Sequence, residues 1–155
     1  MSRGFGLIEA LIAASIVASF IVVLVSINTY YANVALQKGP LIKASFLADE
    51  GIEAIKSMRD QSWTSNIVPL SNNTNYYLTF NGSGWAATQS VSWIGIFERI
   101  LILHSVNRDI NDNITLVGGS LDPDARLVEV RVSWFDRGAT TTKVAKTYIT
   151  DIFDN

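Results

Sequence analysis

The 155-residue chain has no cysteine, which excludes disulfide bonds, thiolate metal sites and a cysteine nucleophile. It has one histidine, His104, and a lone histidine at the end of an apolar strand is more often structural than a general base. Motifs of serine hydrolases, zinc proteases and nucleotide-binding proteins are also missing. Net charge is −2, without the basic field that attracts nucleic acids. We therefore expect neither an enzyme nor a nucleic-acid-binding protein.

Charge is scarcest at the N-terminus, where residues 5–27 contain a single charged side chain, Glu9. At about 1.5 Å per residue this run spans roughly 35 Å, enough to cross the hydrocarbon of a bilayer. A carboxylate inside a membrane span is costly, and such a residue commonly has a functional partner. Nothing else in the run can neutralise Glu9, so we expect its partner on another chain.

The segment Gly4-Phe5-Gly6-Leu7-Ile8-Glu9, followed by the apolar run, resembles the processing site of type IV prepilins and pseudopilins. The resemblance implies that a prepilin peptidase cleaves between Gly4 and Phe5 and that the amine of Phe5 is methylated. It also implies that Glu9 acts in filament assembly. Two features depart from the family pattern. The leader, residues 1–4, is short and leaves one basic residue, Arg3, and Gly6 stands where Thr or Ser is commoner.

Two other interpretations of the N-terminus stay open. A cleaved secretory signal would use the small residues near Ala13 and Ala18, although the apolar run continues beyond them without a polar segment. An uncleaved signal anchor would tolerate Glu9 near the membrane interface and display an extracytoplasmic β-rich binding domain.

The apolar span, residues 5–28, is followed by a predicted amphipathic helix over residues 29–62. Pro40 lacks a backbone donor and disfavours helix at Gly39, so we expect a kink or local unwinding there, a break in the helix. Apolar and small residues then recur at three- and four-residue spacing, which predicts one stripe that packs on a following sheet. The stripe consists of Leu41, Ala44, Leu47, Ala48, Gly51, Ile52, Ile55 and Met58.

Residues 63–155 read as a β-rich head, with strands predicted over 76–80, 97–104 and 114–117. The clearest alternation places Val128, Val130, Val132 and Trp134 on one face. A turn at Asp136-Arg137-Gly138 then predicts a hairpin with a strand over 142–153. One long helix before several strands indicates an α+β fold with an antiparallel sheet. The closing hairpin resembles that of minor pilins of the pilus-modification type, which implies the pilin fold.

Two further groups of residues are candidate binding sites. Asp109, Asn111 and Asn113 alternate as the ligands of a calcium loop do, but the glycine and closing glutamate of that loop are missing. A solvated turn is the favoured interpretation. A calcium ion, with Asp122 and Asp124 nearby, is the alternative, and no other cofactor is expected. Of the tryptophans, Trp134 is predicted in the core, whereas the loop before Trp85 could present that ring to a partner.

The resemblance thus predicts a structural subunit of a type IV pilus or a related pseudopilus, including those of type II secretion. Its expected partners are other pilin subunits, the prepilin peptidase, the assembly machinery and the membrane. Before assembly the chain would span the cytoplasmic membrane once, with the head outside. Afterwards it would lie in a surface pilus or a periplasmic pseudopilus. The shared N-terminus does not separate major pilins, minor pilins and pseudopilins.

Overall fold

The computed structural model describes residues 5–136 and 138–153, without the side chains of Phe5 and Gln37. The helix α1 comprises Phe5–Gln61, and the short helix α2 comprises Trp63–Asn66. The strands are β1 Tyr77–Phe80, β2 Trp85–Thr88, β3 Trp93–Ile94, β4 Phe97–Arg108, β5 Ile114–Thr115, β6 Ser120–Asp136 and β7 Ala139–Thr150. The chain divides into two compact units, with the boundary between Leu41 and Ile42. The fold is α+β, as predicted.

In the first unit the helix is apolar around its whole circumference. Large side chains along it are exposed, among them Leu7, Phe20 and Leu24. Helix is assigned without interruption through Gly39 and Pro40, so the predicted break is not an unwound segment. One missing backbone donor leaves the neighbouring helical hydrogen bonds available. The division between the compact units nevertheless falls just after Pro40.

The second unit begins with the amphipathic part of α1, whose buried stripe is the predicted one with two changes. Ala44, Leu47, Ala48, Ile55 and Met58 are buried as expected. Ala54 is also fully buried, although it was not assigned to the stripe. Ile52, placed by the sequence in the middle of the stripe, is only partly buried and packs at its edge.

The sheet of the second unit is antiparallel, with strand order β3-β4-β6-β7 and β5 paired to β4. Its central register aligns Leu101 of β4 with Val130 of β6 and Ala145 of β7. Val128, Val130 and Val132 are fully buried in the core that also holds the helix stripe, so the predicted alternation is confirmed. We call this side the inner face and the opposite side the outer face. The predicted hairpin is confirmed as β6 and β7, with Arg137 outside the described residues.

Two strands were missed by the sequence analysis. The turn after Asn81 leads into β2, which pairs with β1 in a separate two-stranded sheet. The Asn81 side chain closes that turn, because its Oδ1 accepts from the backbone N–H groups of Ser83 and Gly84 at 3.1 and 2.9 Å. The two residues of β3 pair with the start of β4. Both strands are too short for their alternation to be visible in the sequence.

Arg99 joins the helix to the sheet within the second unit. It is 4% exposed, on the same side of β4 as the buried Phe97 and Leu101. Its Nη1 lies 3.0 Å from Oε2 of Glu50 and donates to the carbonyl of Leu47 at 3.3 Å. Because the Arg99 guanidinium is buried, loss of these partners would leave a desolvated charge unpaired, so the contacts help fix the helix on the sheet.

Candidate functional site

The segment singled out by the sequence lies at the start of α1. Gly4, one of the two residues at the predicted cleavage position, is outside the described residues. Phe5 and Glu9 are both in α1, about one helical turn apart. Around Glu9 the helix surface is apolar, formed by Ile8, Ile12, Ala13 and Ile16.

Hydroxyl groups in the apolar run are satisfied within the helix itself. Ser15 donates to the carbonyl of Ile12, and Ser19 donates to that of Ser15, both at 2.8 Å. Ser26 and Thr29 do the same with the residues four positions earlier. Such bonds remove most of the penalty for placing a hydroxyl in an apolar environment. Among the described residues, the Glu9 carboxylate has no comparable hydrogen bond or ion pair.

By length and composition, α1 is the one helix of the described chain that could cross a membrane. The most apolar 18-residue window of the helix has a mean hydropathy of 2.8, and none of that window is buried in the protein. This helix is therefore a candidate membrane span. Within residues 5–27 its one charged side chain is Glu9, which has no partner among the described residues.

His104 makes structural contacts. Its Nδ1 is 2.7 Å from Oδ1 of Asn73, and its Nε2 is 3.6 Å from Oε2 of Glu129. Asn73 also donates its backbone N–H to the carbonyl of Leu103 at 2.8 Å. The imidazole therefore holds the loop before β1 against the sheet, the structural role expected from the sequence.

Glu129 is a charged centre that the sequence analysis missed. The alternation of residues 128–134 predicted that Glu129 lies on the outer face, and it does. The residue is nevertheless only 6% exposed. Lys146 Nζ lies 2.8 Å from its Oε2, and Arg131 Nη2 lies 2.5 Å from its Oε1. The hydrogen bond from Lys146 is the largest cause that lowers the pKa of Glu129, and Arg131 adds to it while burial opposes both. Only the strand register brings Lys146 opposite Glu129, so no local sequence signal could have revealed the cluster.

The predicted calcium candidates form a self-bonded loop. Oδ1 of Asp109 accepts from the backbone N–H groups of Asn111 and Asn113 at 2.8 and 2.9 Å. These bonds, that from Asn113 first, lower the pKa of Asp109. Asn111 contributes its backbone N–H to this loop, whereas Asn113 also places its side-chain amide nitrogen 3.4 Å from Asp109 Oδ2.

Asp122 does approach this loop, but Arg108 stands between them. Arg108 Nε is 2.6 Å from Oδ2 of Asp122 and 3.6 Å from Oδ1 of Asp112. The hydrogen bond from Arg108 is the main cause that lowers the pKa of Asp122. Within the described part of the chain, no three His, Asp or Glu side chains are grouped so as to hold a metal ion.

The tryptophans are divided between core and surface. Trp134 is 3% exposed, as predicted, and Trp63 of α2 is also buried in the core cluster. Trp85 begins β2, packs partly against the core and lies under the Arg99 guanidinium, 5.5 Å from ring centre to Cζ. Trp93, which the sequence did not single out, is 59% exposed.

No protein-family model, curated protein sequence or solved structure matches this chain. The features available for a functional conclusion are the N-terminal sequence segment, an exposed apolar helix whose Glu9 has no partner among the described residues, and a compact unit that holds the sheet.

Proposed function

We propose that the chain is a structural subunit of a type IV pilus or a related pseudopilus, with the pilin fold. Within that group, the closing hairpin favours a minor pilin. The observation that carries the proposal is the combination of the prepilin-like segment with a long helix whose apolar surface is uncovered among the described residues. A helix that is apolar all round requires either lipid or other helices around it.

In the proposed sequence of events, the precursor enters the cytoplasmic membrane with Arg3 inside and the head outside. A prepilin peptidase hydrolyses the peptide bond between Gly4 and Phe5, which creates a new terminal ammonium at Phe5. The N-terminal helix then leaves the bilayer and packs beside related helices in a filament. This pathway needs no chemistry on a small molecule by the subunit itself.

Glu9 acts in this proposal as the residue that sets the axial position of each subunit. A buried carboxylate without a partner is penalised both in lipid and in a filament core. The ammonium of Phe5 on a neighbouring subunit removes that penalty only where the two groups meet. The absence of a hydrogen-bonding or ionic partner for Glu9 among the described residues supports a partner on another chain.

Processing provides the direct test of this proposal. Co-expression with a prepilin peptidase should shorten the protein by residues 1–4 and leave Phe5 first, as measured by intact mass and N-terminal sequencing. Gly4→Val should block cleavage, because a β-branched side chain does not fit a site shaped for glycine. Gly6→Ala, at the family's variable position, serves as the matched control and should be cleaved.

An intact Met1 on the wild-type protein after co-expression would reject the proposal. It would favour the alternative of an uncleaved, single-pass anchored protein that displays a β-rich binding domain. Equal cleavage of the Gly4→Val variant would likewise show that the segment is not a prepilin site.

A further inference from the structure

A cavity of about 400 Å³ lies at one end of the sheet, where β3, β4 and β6 meet. Strand register builds its floor, because Trp93 is paired with Glu98 and Glu98 is paired with Ser133. Directly paired residues on one face of a sheet have Cβ atoms about 4.5–5.5 Å apart. The cavity lining combines aromatic, aliphatic and polar residues: Trp93, Ile96, Glu98, Ser133, Trp134, Phe135 and Thr140.

Two of the three aromatic residues that line this cavity contribute little to the core. Trp93 is 59% exposed and Phe135 is 70% exposed, whereas Trp134 of β6 is 3% exposed and belongs to the core. Ile96, in the turn between β3 and β4, is also exposed. Two exposed aromatic rings around one concave surface provide π-faces that a ligand can contact, and Trp is the ring that attracts cations most strongly.

Glu98 supplies the charge at the floor of the cavity. Its Oε1 accepts a hydrogen bond from the phenol of Tyr77 at 2.9 Å. Burial, followed by the Glu98 contact, raises the pKa of Tyr77, so the phenol remains a donor. In the described ranges, Glu98 forms no ion pair, while the nearby Arg131 is engaged by Glu129. The cavity thus contains a carboxylate that forms no ion pair with any of the described residues.

We propose that this cavity binds a small organic cation with an alkylated ammonium group. A carboxylate between aromatic rings complements a positive charge that is spread over methyl groups. Such a cation loses less hydration on entering the cavity than a compact ammonium does, and the cavity is far larger than a bare metal ion needs. Ser133 and Thr140 provide hydroxyl groups for a polar tail such as an alcohol. This inference does not depend on the proposed filament role.

Choline is the probe, and 3,3-dimethylbutan-1-ol, which has the same shape without charge, is its neutral comparison. Binding to the full chain in dodecyl maltoside micelles can be measured by saturation-transfer NMR on the methyl signals. Choline should bind at least about tenfold more tightly than the neutral alcohol, as expected for contacts with a ring and a carboxylate. Methylammonium, which is smaller and more strongly hydrated, should bind less tightly than choline.

Variants locate the site. Trp93→Leu and Glu98→Gln should each weaken choline binding by about tenfold, and the Gln side chain can still accept from Tyr77. Phe153→Leu, an exposed ring beyond β7, and Glu53→Gln, an exposed carboxylate on α1, are the matched controls and should leave binding unchanged. Near-UV circular dichroism checks that each variant is folded.

Three results would overturn the proposal. Equal binding of choline and the neutral alcohol would show a cavity that selects only for apolar shape. Choline binding that survives both Trp93→Leu and Glu98→Gln would place the ligand elsewhere. No detectable choline binding at 100-fold molar excess over protein, at millimolar protein concentration, would show that the cavity has no useful affinity for this class.

Discussion

Both parts of α1 contain large apolar side chains, but the surroundings of these side chains are opposite. In the first part Phe20 is 65% exposed, whereas in the second Ile55 is fully buried. The second part has one apolar stripe and finds its partner in the sheet of the same chain. The first part is apolar all round and has no cover among the described residues. The comparison shows that an apolar helix surface covered within the chain stabilises the fold. An apolar surface left uncovered indicates that lipid or another chain covers it.

The largest expected effect on the stability of the head comes from placing a charge in the buried stripe of α1. Ile55→Asp removes a fully buried side chain and introduces a charge with no partner, which together rival the typical free energy of unfolding of a domain. The head should be unfolded or nearly so. Because all four tryptophans lie between residues 63 and 134, tryptophan fluorescence during urea titration of the full chain in micelles reports on the head alone.

Substitutions at two other positions of α1 should have progressively smaller effects on stability. Ile52→Asp should destabilise less than Ile55→Asp, because Ile52 lies at the edge of the stripe. Glu53→Ala, which removes an exposed pair with Lys56, should change the free energy of unfolding by less than about 0.5 kcal/mol. If Ile55→Asp were as mild as Glu53→Ala, the helix would not pack on the sheet.

A smaller effect is expected where the helix and sheet approach most closely. A Cβ atom at Gly51 would lie 2.8 Å from Cγ1 of Val130, a stiff and fully buried side chain. Gly51→Ala should therefore overpack the core by about 1–3 kcal/mol, partly offset by about 1 kcal/mol of better helix propensity. Urea titration should show a net loss of up to about 2 kcal/mol.

Gly39→Ala is the matched control in the other part of α1. No atom lies within 4 Å of the Cβ that this change would add. The stability of the head should be unchanged in this variant. A similar loss for both substitutions would mean that close packing at Gly51 is not the cause.

The smallest expected effect concerns acid stability on the outer face of the sheet. Because the pKa of Glu129 is lower in the folded state than its ordinary value of 4.5, its contribution is present above about pH 5 and is lost as pH falls through the folded value. Glu129→Gln should lower stability at pH 7 by about 1–2 kcal/mol, since charge-assisted hydrogen bonds to Lys146 and Arg131 are lost.

The same substitution should reduce the loss of stability between pH 5 and pH 3. Asp122, whose pKa is also lowered, keeps part of that pH dependence in the variant. Glu53→Gln, on an exposed pair, should leave the pH profile close to wild type. An unchanged pH profile for Glu129→Gln would contradict the assigned role of the ion cluster.

Local periodicity predicted the parts of the fold in which one segment has one buried face. The stripe of α1 and the Val128–Trp134 alternation are such segments. The β6–β7 hairpin was predicted from the turn that joins these two strands. Periodicity did not predict the burial of Glu129, because its shielding arises from neighbours on other strands. It also missed the cavity at Trp93, which exists only through the pairing of a two-residue strand with β4.

The candidate assembly residue was accessible to sequence reasoning for a different reason. Glu9 is conspicuous because the apolar run around it contains no other charge, and that is a property of composition. Its proposed partner belongs to another molecule, so neither the sequence nor the fold of one chain contains it. The proposed cleavage after Gly4 likewise depends on an external enzyme.

The most direct test of the central claim separates membrane insertion from filament assembly. Glu9→Leu removes the one charge of the span, so its amount in the membrane should equal or exceed that of wild type. Its amount in sheared surface filaments, measured by immunoblot in cells with the cognate assembly machinery, should fall at least about tenfold. Ile8→Leu, an apolar exchange at the adjacent position, should leave both fractions unchanged. Normal incorporation of the Glu9→Leu variant would contradict the account.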